Sequence, residues 1–178
     1  GGSIKHFAGI DGLHQAEMLE VKGNGARVAL GMIDVHEVEN HGNYCFLNTG
    51  SPHYVEYVDD VKAIDVSRRG AEIRWSEPFA SRGGTNVNFV QRIAKDHIRI
   101  RTFERGVEDE TLACGTGATA SALATAYLDG IPAHRYQVDV EGGSLSVAFE
   151  TNDKGGFCHV ILTGPAQKVF EGDIELDF

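Results

Sequence analysis

The chain has 178 residues, 42% of them hydrophobic and 24% charged, enough for one sizeable core or for one domain and part of a second. This ordinary usage excludes disordered and fibrous classes, and no apolar run approaches the ~20 residues that cross a bilayer. Sixteen basic residues against 26 acidic ones leave a net charge of −10, which favours solubility and excludes nucleic acid as a partner. Gly1-Gly2-Ser3-Ile4-Lys5 lacks a charged-then-apolar signal pattern and an initiator Met, so a tag scar or a cut is expected there, with the cytoplasm as location.

Most of the sequence reads as short strands. Segments 16–21 and 26–35 flank Lys22-Gly23-Asn24-Gly25 and form a predicted hairpin. Asn40-His41-Gly42-Asn43 is a loop, 44–47 a strand, and 53–58 a strand that runs into a short helix. Strands are expected at 72–75 and 86–93, punctuated by Gly83-Gly84, and at 97–103, where Ile98, Ile100 and Thr102 alternate with Arg99, Arg101 and Phe103. Segment 116–129 differs: it is Ala-rich, holds no Val or Ile, and stops at Gly130 with Pro132 beyond. It is the predicted helix, with low charge that suggests burial on all sides. The tail returns to strands at 136–140, 144–149, 159–162 and 166–170, linked by Gly142-Gly143, a 152–156 turn and Gly164-Pro165. The fold class is therefore α+β, an antiparallel sheet or barrel-like domain wrapped around a central helix.

The chemistry concentrates where a strand delivers Glu104 and Arg105 to a loop that ends in Cys114-Gly115-Thr116-Gly117 at the helix start. A helix N-terminus offers unpaired N–H groups and a positive dipole end, so it can hold a carboxylate and lower the pKa of a thiol. Gly115 and Gly117 admit close approach, and Thr116 can donate a hydrogen bond or cap the helix. The plain alternative is that Cys114 is a small buried residue, as Cys45 and Cys158 are expected to be in their apolar strands. With three cysteines, no CxxC and no paired-histidine spacing, a metal site has little support.

The run from Phe103-Glu104-Arg105-Gly106 through Glu110-Thr111-Leu112-Ala113-Cys114-Gly115-Thr116-Gly117 resembles the second cysteine motif of diaminopimelate epimerases. Asn48-Thr49-Gly50-Ser51-Pro52-His53-Tyr54-Val55, Gly84-Thr85-Asn86-Val87-Asn88-Phe89-Val90 and Gly164-Pro165-Ala166 resemble further family segments in the same order. The resemblance implies a cofactor-free, two-base epimerisation of diaminopimelate, a small-molecule substrate, with a homodimer possible and no membrane or nucleic-acid partner. It implies Cys114 as an acid–base, Glu104 and His53 adjusting cysteine protonation, and Gly115 and Thr116 holding the α-carboxylate. Arg105 and Asn86 would hold the distal carboxylate and amine, a grip the Arg fork suits. Ser51 stands where many relatives have Asn, and the plain alternatives for Glu104 and His53 are a surface carboxylate and a turn histidine.

A two-base mechanism needs a second cysteine, which the family carries in a Cys-Gly-Asn-Gly segment. Lys22-Gly23-Asn24-Gly25 mimics that segment with Lys for Cys, between strand-like flanks. The chain is accordingly expected to be the C-terminal half, inactive alone. Residues 1–38 would be strands of the N-terminal domain, 39–163 the C-terminal domain, and 164–178 a tail returning to the first. Two other readings stay open: another isomerase or racemase of the same fold, and a non-catalytic binding domain with a redox-sensitive Cys114.

Overall fold

The computed structural model describes residues 4–9, 12–131 and 133–175, so the first three residues of the expected scar, Pro132 and the last three tail residues lie outside the described residues. In chain order the strands begin with β1 (Ile4–Gly9), β2 (Gly12–Lys22), β3 (Gly25–Gly31), β4 (Glu39–Asn40), β5 (Cys45–Asn48) and β6 (Pro52–Tyr57). After a 3-10 turn at Val61–Ala63 come helix α1 (Val66–Arg74), β7 (Asn86–Ala94), β8 (His97–Glu104) and β9 (Asp109–Thr111). Helix α2 (Gly115–Leu128), β10 (Arg135–Val140), β11 (Gly143–Thr151) and β12 (Phe157–Gln167) complete the chain. One sheet joins the strands in the order β1-β2-β3-β12-β11-β10-β8-β7-β6-β5-β4, with β9 paired to β8, and it does not close. Most pairs are antiparallel. The exceptions, β6 with β7 and β8 with β10, are parallel because α1 and α2 make those crossovers.

Helix α2 lies against strands β5 to β8 and β10 to β12, and every residue from Gly117 to Ala126 is buried. A helix apolar all round is buried all round, as its composition implies. Its three buried hydroxyls need no outside partner: Thr119 donates to Gly115 O, Ser121 to Gly117 O and Thr125 to Ser121 O, at 3.0, 2.8 and 2.7 Å. The helix ends in a Schellman motif, with Ile131 N donating to Ala126 O, Gly130 N to Tyr127 O, and Gly130 at φ 70°.

Three expectations give way to the structure. The strand expected at 72–75 is the last turn of α1, which Asp65 caps by accepting from Arg68 N at 3.1 Å. Gly70 obscured this helix, because a mid-helix glycine reads as a break. Its place is fixed by contact: a Cβ there would lie 2.3 Å from Phe103 Cβ. With α1 on one face of β7 and β8 and α2 on the other, Phe103 is buried along with Ile98, Ile100 and Thr102, although it points the other way. The segment 159–162 and the start of 166–170 form one strand, β12, which runs through Gly164-Pro165 and ends at Gln167, so 168–170 are not strand. Proline is tolerated there because β11 stops pairing at Thr163, so Pro165 faces only β3. The segment between Glu104 and Cys114 contains β9, where a loop was expected. The 22–25 hairpin is as expected, with φ 57° at Gly23, the first of two turn residues, as a type II′ turn requires. No helix among the described residues is long and apolar enough to cross a membrane.

The α1–β8 contact reverses a general rule. Gly→Ala in a helix interior normally stabilises by about 1 kcal/mol; Gly70→Ala is expected to destabilise by about 1–3 kcal/mol through overpacking against Phe103. A urea midpoint at or above wild type would show that Phe103 yields freely.

Candidate active site

The starts of β6, β7 and α2 and the end of β8 converge, and they bring every residue singled out in the sequence to one place. Parallel pairing sets His53 of β6 opposite Asn86 of β7. Gly50, at φ 104°, turns the chain so that Ser51 precedes β6 beside α2. The link from β8 to α2 is held by ion pairs: Arg101 grips Glu110 with two bonds of 2.6 Å, and Arg74 grips Glu108 at 2.7–2.8 Å. These restraints deliver Cys114 to the N-cap of α2 in extended conformation, with Gly115 and Thr116 as the first helical residues. Cys114, not Thr116, is therefore the N-cap.

Around the cysteine lies a set of short polar contacts. Cys114 Sγ is 3.4 Å from Thr116 Oγ1, which is 3.4 Å from Ser51 Oγ. Ser51 Oγ is 3.0 Å from His53 Nε2 and accepts from Asn86 Nδ2 at 3.2 Å. Asn86 also donates to Pro52 O at 3.0 Å and accepts from Arg105 N at 2.9 Å, so its amide is engaged in holding the two loops together. Thr49 Oγ1 donates to Thr116 O at 3.0 Å. Glu104 Oε2 accepts from Thr111 Oγ1 at 2.9 Å, and Glu104 lies close enough to Cys114 to disfavour its thiolate. Among the described residues the Arg105 guanidinium makes no ion pair, though its charge is felt at His53.

Electrostatics here are decided by burial. Burial pushes the Cys114 thiol above its ordinary range; the Thr116 hydroxyl and the Gly117 amide pull the other way, and Glu104 adds to the rise. The lowering expected from the helix terminus is present and is outweighed, so Cys114 holds its proton near neutrality. His53 is fully buried, and burial followed by the nearby Arg105 charge pulls it down to about 3, so it is neutral.

Two close approaches explain the glycines. A Cβ on Gly117 would sit 2.4 Å from Asn88 Oδ1, and one on Gly115 would sit 2.9 Å from Leu162 Cδ2. Asn88 is the residue that sequence reasoning passed over. It hydrogen-bonds His53 Nδ1 at 3.1 Å, and its spacing from Asn86 places both on one face of β7, a signal available in the sequence. The other two cysteines stand apart: Cys45 is on β5 near Tyr57, and Cys158 is on β12 beside Asp34 and Glu150.

A family model described as diaminopimelate epimerase matches residues 45–169, which include every residue of the network around Cys114. The chain belongs to the diaminopimelate epimerase family. The diaminopimelate epimerase of Flavobacterium psychrophilum is 44% identical over 168 residues, which cover 94% of this chain and 63% of that protein. That of Aquifex aeolicus is 48% identical over 130 residues, 71% of this chain and 44% of the relative. The chain thus spans less than two thirds of the length of either. Its fold is similar to that of a hydroxyproline epimerase from Agrobacterium vitis, at TM-score 0.66 and 18% identity, over 94% of this chain and 58% of that one.

The neutral His53 has a thermodynamic signature. The unfolded chain binds a proton at this side chain near pH 6.5 and the folded chain does not until about pH 3, so stability falls as pH falls through that window. The loss is about 1.4 kcal/mol per pH unit, or about 2 kcal/mol on going from pH 6.5 to 5. Urea unfolding of wild type and His53→Gln at pH 7, 6 and 5 is expected to show a shallower decline in the variant. Equal slopes would mean that His53 is protonated in the fold.

Proposed function

We propose that this chain carries one catalytic side of a cofactor-independent diaminopimelate epimerase, working in the cytoplasm, in which Cys114 is one of two acid–bases. The supporting observation is the placement of a protonated, buried thiol at the N-terminus of α2 with the Thr116 hydroxyl beside it. In the direction that uses Cys114 as acid, the opposite base takes the α-proton and the S–H proton passes to the other face of the α-carbon. The electron pair of the S–H bond stays on sulfur, and the Thr116 hydroxyl and the Gly117 amide favour that thiolate. In the reverse direction the Cys114 thiolate removes the proton.

In this reading the Gly115 and Thr116 amides hold the α-carboxylate and stabilise the negative charge that develops next to it, a role supported by their position at the positive end of α2. Arg105 carries the charge for the distal carboxylate. The role of Asn86 is better described as holding Ser51 and the Arg105 backbone in place than as gripping the substrate amine. Glu104 raises the thiol, which suits the acid half of the cycle.

Cys45 and Cys158 stand away from this network, so neither serves as the second acid–base, which this reading assigns to the facing unit. We assign residues 39–163 to the C-terminal unit, and residues 1–38 and 164–178 to the sheet of the other. The course of β12 supports the division, since it leaves β11 at Thr163 and continues on β3 alone.

Deuterium incorporation at the α-carbon of L,L-diaminopimelate in deuterated water tests the reading. The chain alone is expected to give none, and the chain combined with the N-terminal half of the Flavobacterium psychrophilum relative is expected to give exchange that Cys114→Ala lowers by about 10³-fold or more. Exchange by the chain alone would sink the half-site claim. A combined sample that is folded, associated and silent would sink the epimerase claim.

A further inference from the structure

The hydrogen bonds around His53 have a direction, and Asn88 sets it. The amide of Asn88 is oriented by its neighbours: Oδ1 accepts from Thr102 Oγ1 at 3.0 Å, and Nδ2 donates to Tyr54 O at 2.9 Å. Exchanging the two atoms would set an oxygen against the Tyr54 carbonyl. The second hydrogen on Nδ2 therefore points at His53 Nδ1, 3.1 Å away. An imidazole nitrogen that accepts a hydrogen bond carries no proton. His53, being neutral, then holds its proton on Nε2 and donates it to Ser51 Oγ at 3.0 Å.

The same accounting runs onward. Ser51 Oγ accepts from His53 Nε2 and from Asn86 Nδ2, which fills both lone pairs. Its own hydrogen goes to Thr116 Oγ1, and that leaves the Thr116 hydrogen for Cys114 Sγ. We propose that Asn88 is a positioning residue that fixes the Nε2–H form of His53 and so directs a one-way relay, His53 to Ser51 to Thr116, that ends as a hydrogen-bond donor on the Cys114 sulfur. In this arrangement His53 never accepts a proton from the cysteine; it holds the hydroxyls in the orientation that stabilises a thiolate. The relay is built before substrate arrives, and no member needs to change protonation during turnover.

The Asn88 end of the relay lies between two elements. Thr102 of β8 orients the amide from one side, and α2 approaches so closely at Gly117 that no side chain fits between them. The charged groups facing the centre are Glu104, from the end of β8, and Arg105 after it; Glu104 meets the Cys114 thiol directly from outside the relay, and Arg105 acts on His53 through its charge alone. The first turn of α2 adds no acidic group, and β12 brings the apolar Leu162.

The inference rests on the acid–base assignment of Cys114, but its test needs no substrate, so the two stand or fall separately. Long-range ¹H–¹⁵N NMR of the histidine-labelled chain is expected to show His53 bare at Nδ1 and protonated at Nε2 from pH 5 to 8, and Asn88→Asp is expected to put a proton on Nδ1. A wild-type His53 protonated at Nδ1, or an Asn88→Asp variant with Nδ1 still bare, overturns the role of Asn88. The Cys114 end is read by the pH dependence of its alkylation, resolved by mass spectrometry. His53→Leu and Ser51→Ala are expected to raise the midpoint by about half a pH unit or more. His53→Gln keeps an N–H donor at the Nε2 position and is expected to leave the midpoint where wild type has it. If His53→Gln raises it as far as His53→Leu, the imidazole is not acting as a donor and the relay is wrong. The wild-type NMR result decides the tautomer even if a variant fails to fold.

Discussion

Everything in this site depends on how closely the first turn of α2 is pressed onto β7. The gap between Gly117 and Asn88 is too small for a single methyl group, and that contact sets the helix terminus and the Thr116 hydroxyl beside the Cys114 sulfur and joins them through Ser51 to the buried His53. Only a helix of small residues can enter a sheet so deeply, and only backbone-bonded hydroxyls can accompany it without stranded polar atoms. The Ala-rich composition of α2 is thus a condition of the site as well as of the fold.

Burial has opposite effects on the two titratable groups at its centre. It raises the Cys114 thiol and lowers His53, and in both cases the neutral form prevails. A helix terminus alone suggests a ready thiolate, and the enclosed environment reverses that conclusion. What survives is a thiol whose conjugate base is already provided with donors, a suitable state for a group that must give a proton in one direction and take it in the other. Polar groups buried this completely must be satisfied, and the accounting of donors and acceptors gives the network its direction.

The outer face of the sheet supports this arrangement from a distance. Helix α1 packs Gly70 on Phe103, and the Arg101–Glu110 and Arg74–Glu108 pairs fasten β9 and the turn before it. Ion pairs that are partly exposed contribute little to stability by themselves. Here they serve geometry, shortening the free path between the end of β8 and Cys114.

Much of this was legible in the sequence, for local reasons. The Gly23-Asn24 hairpin, the Ala-rich helix with its Gly stop, and the run Glu104-Arg105 to Cys114-Gly115-Thr116-Gly117 are patterns a few residues wide, in which propensity and turn chemistry act directly. They also point to a family, and the comparison with known proteins agrees. Features set by contacts between distant segments were not legible. Gly70 reads as a helix breaker until Phe103 is beside it, and Pro165 reads as a linker until β12 is seen to stop pairing with β11 at Thr163. Asn88 reads as one more strand residue until His53 and Thr102 close on it. The protonation of Cys114 and His53 belongs to this second class, because desolvation is a property of the whole surrounding fold and no short stretch of sequence contains it.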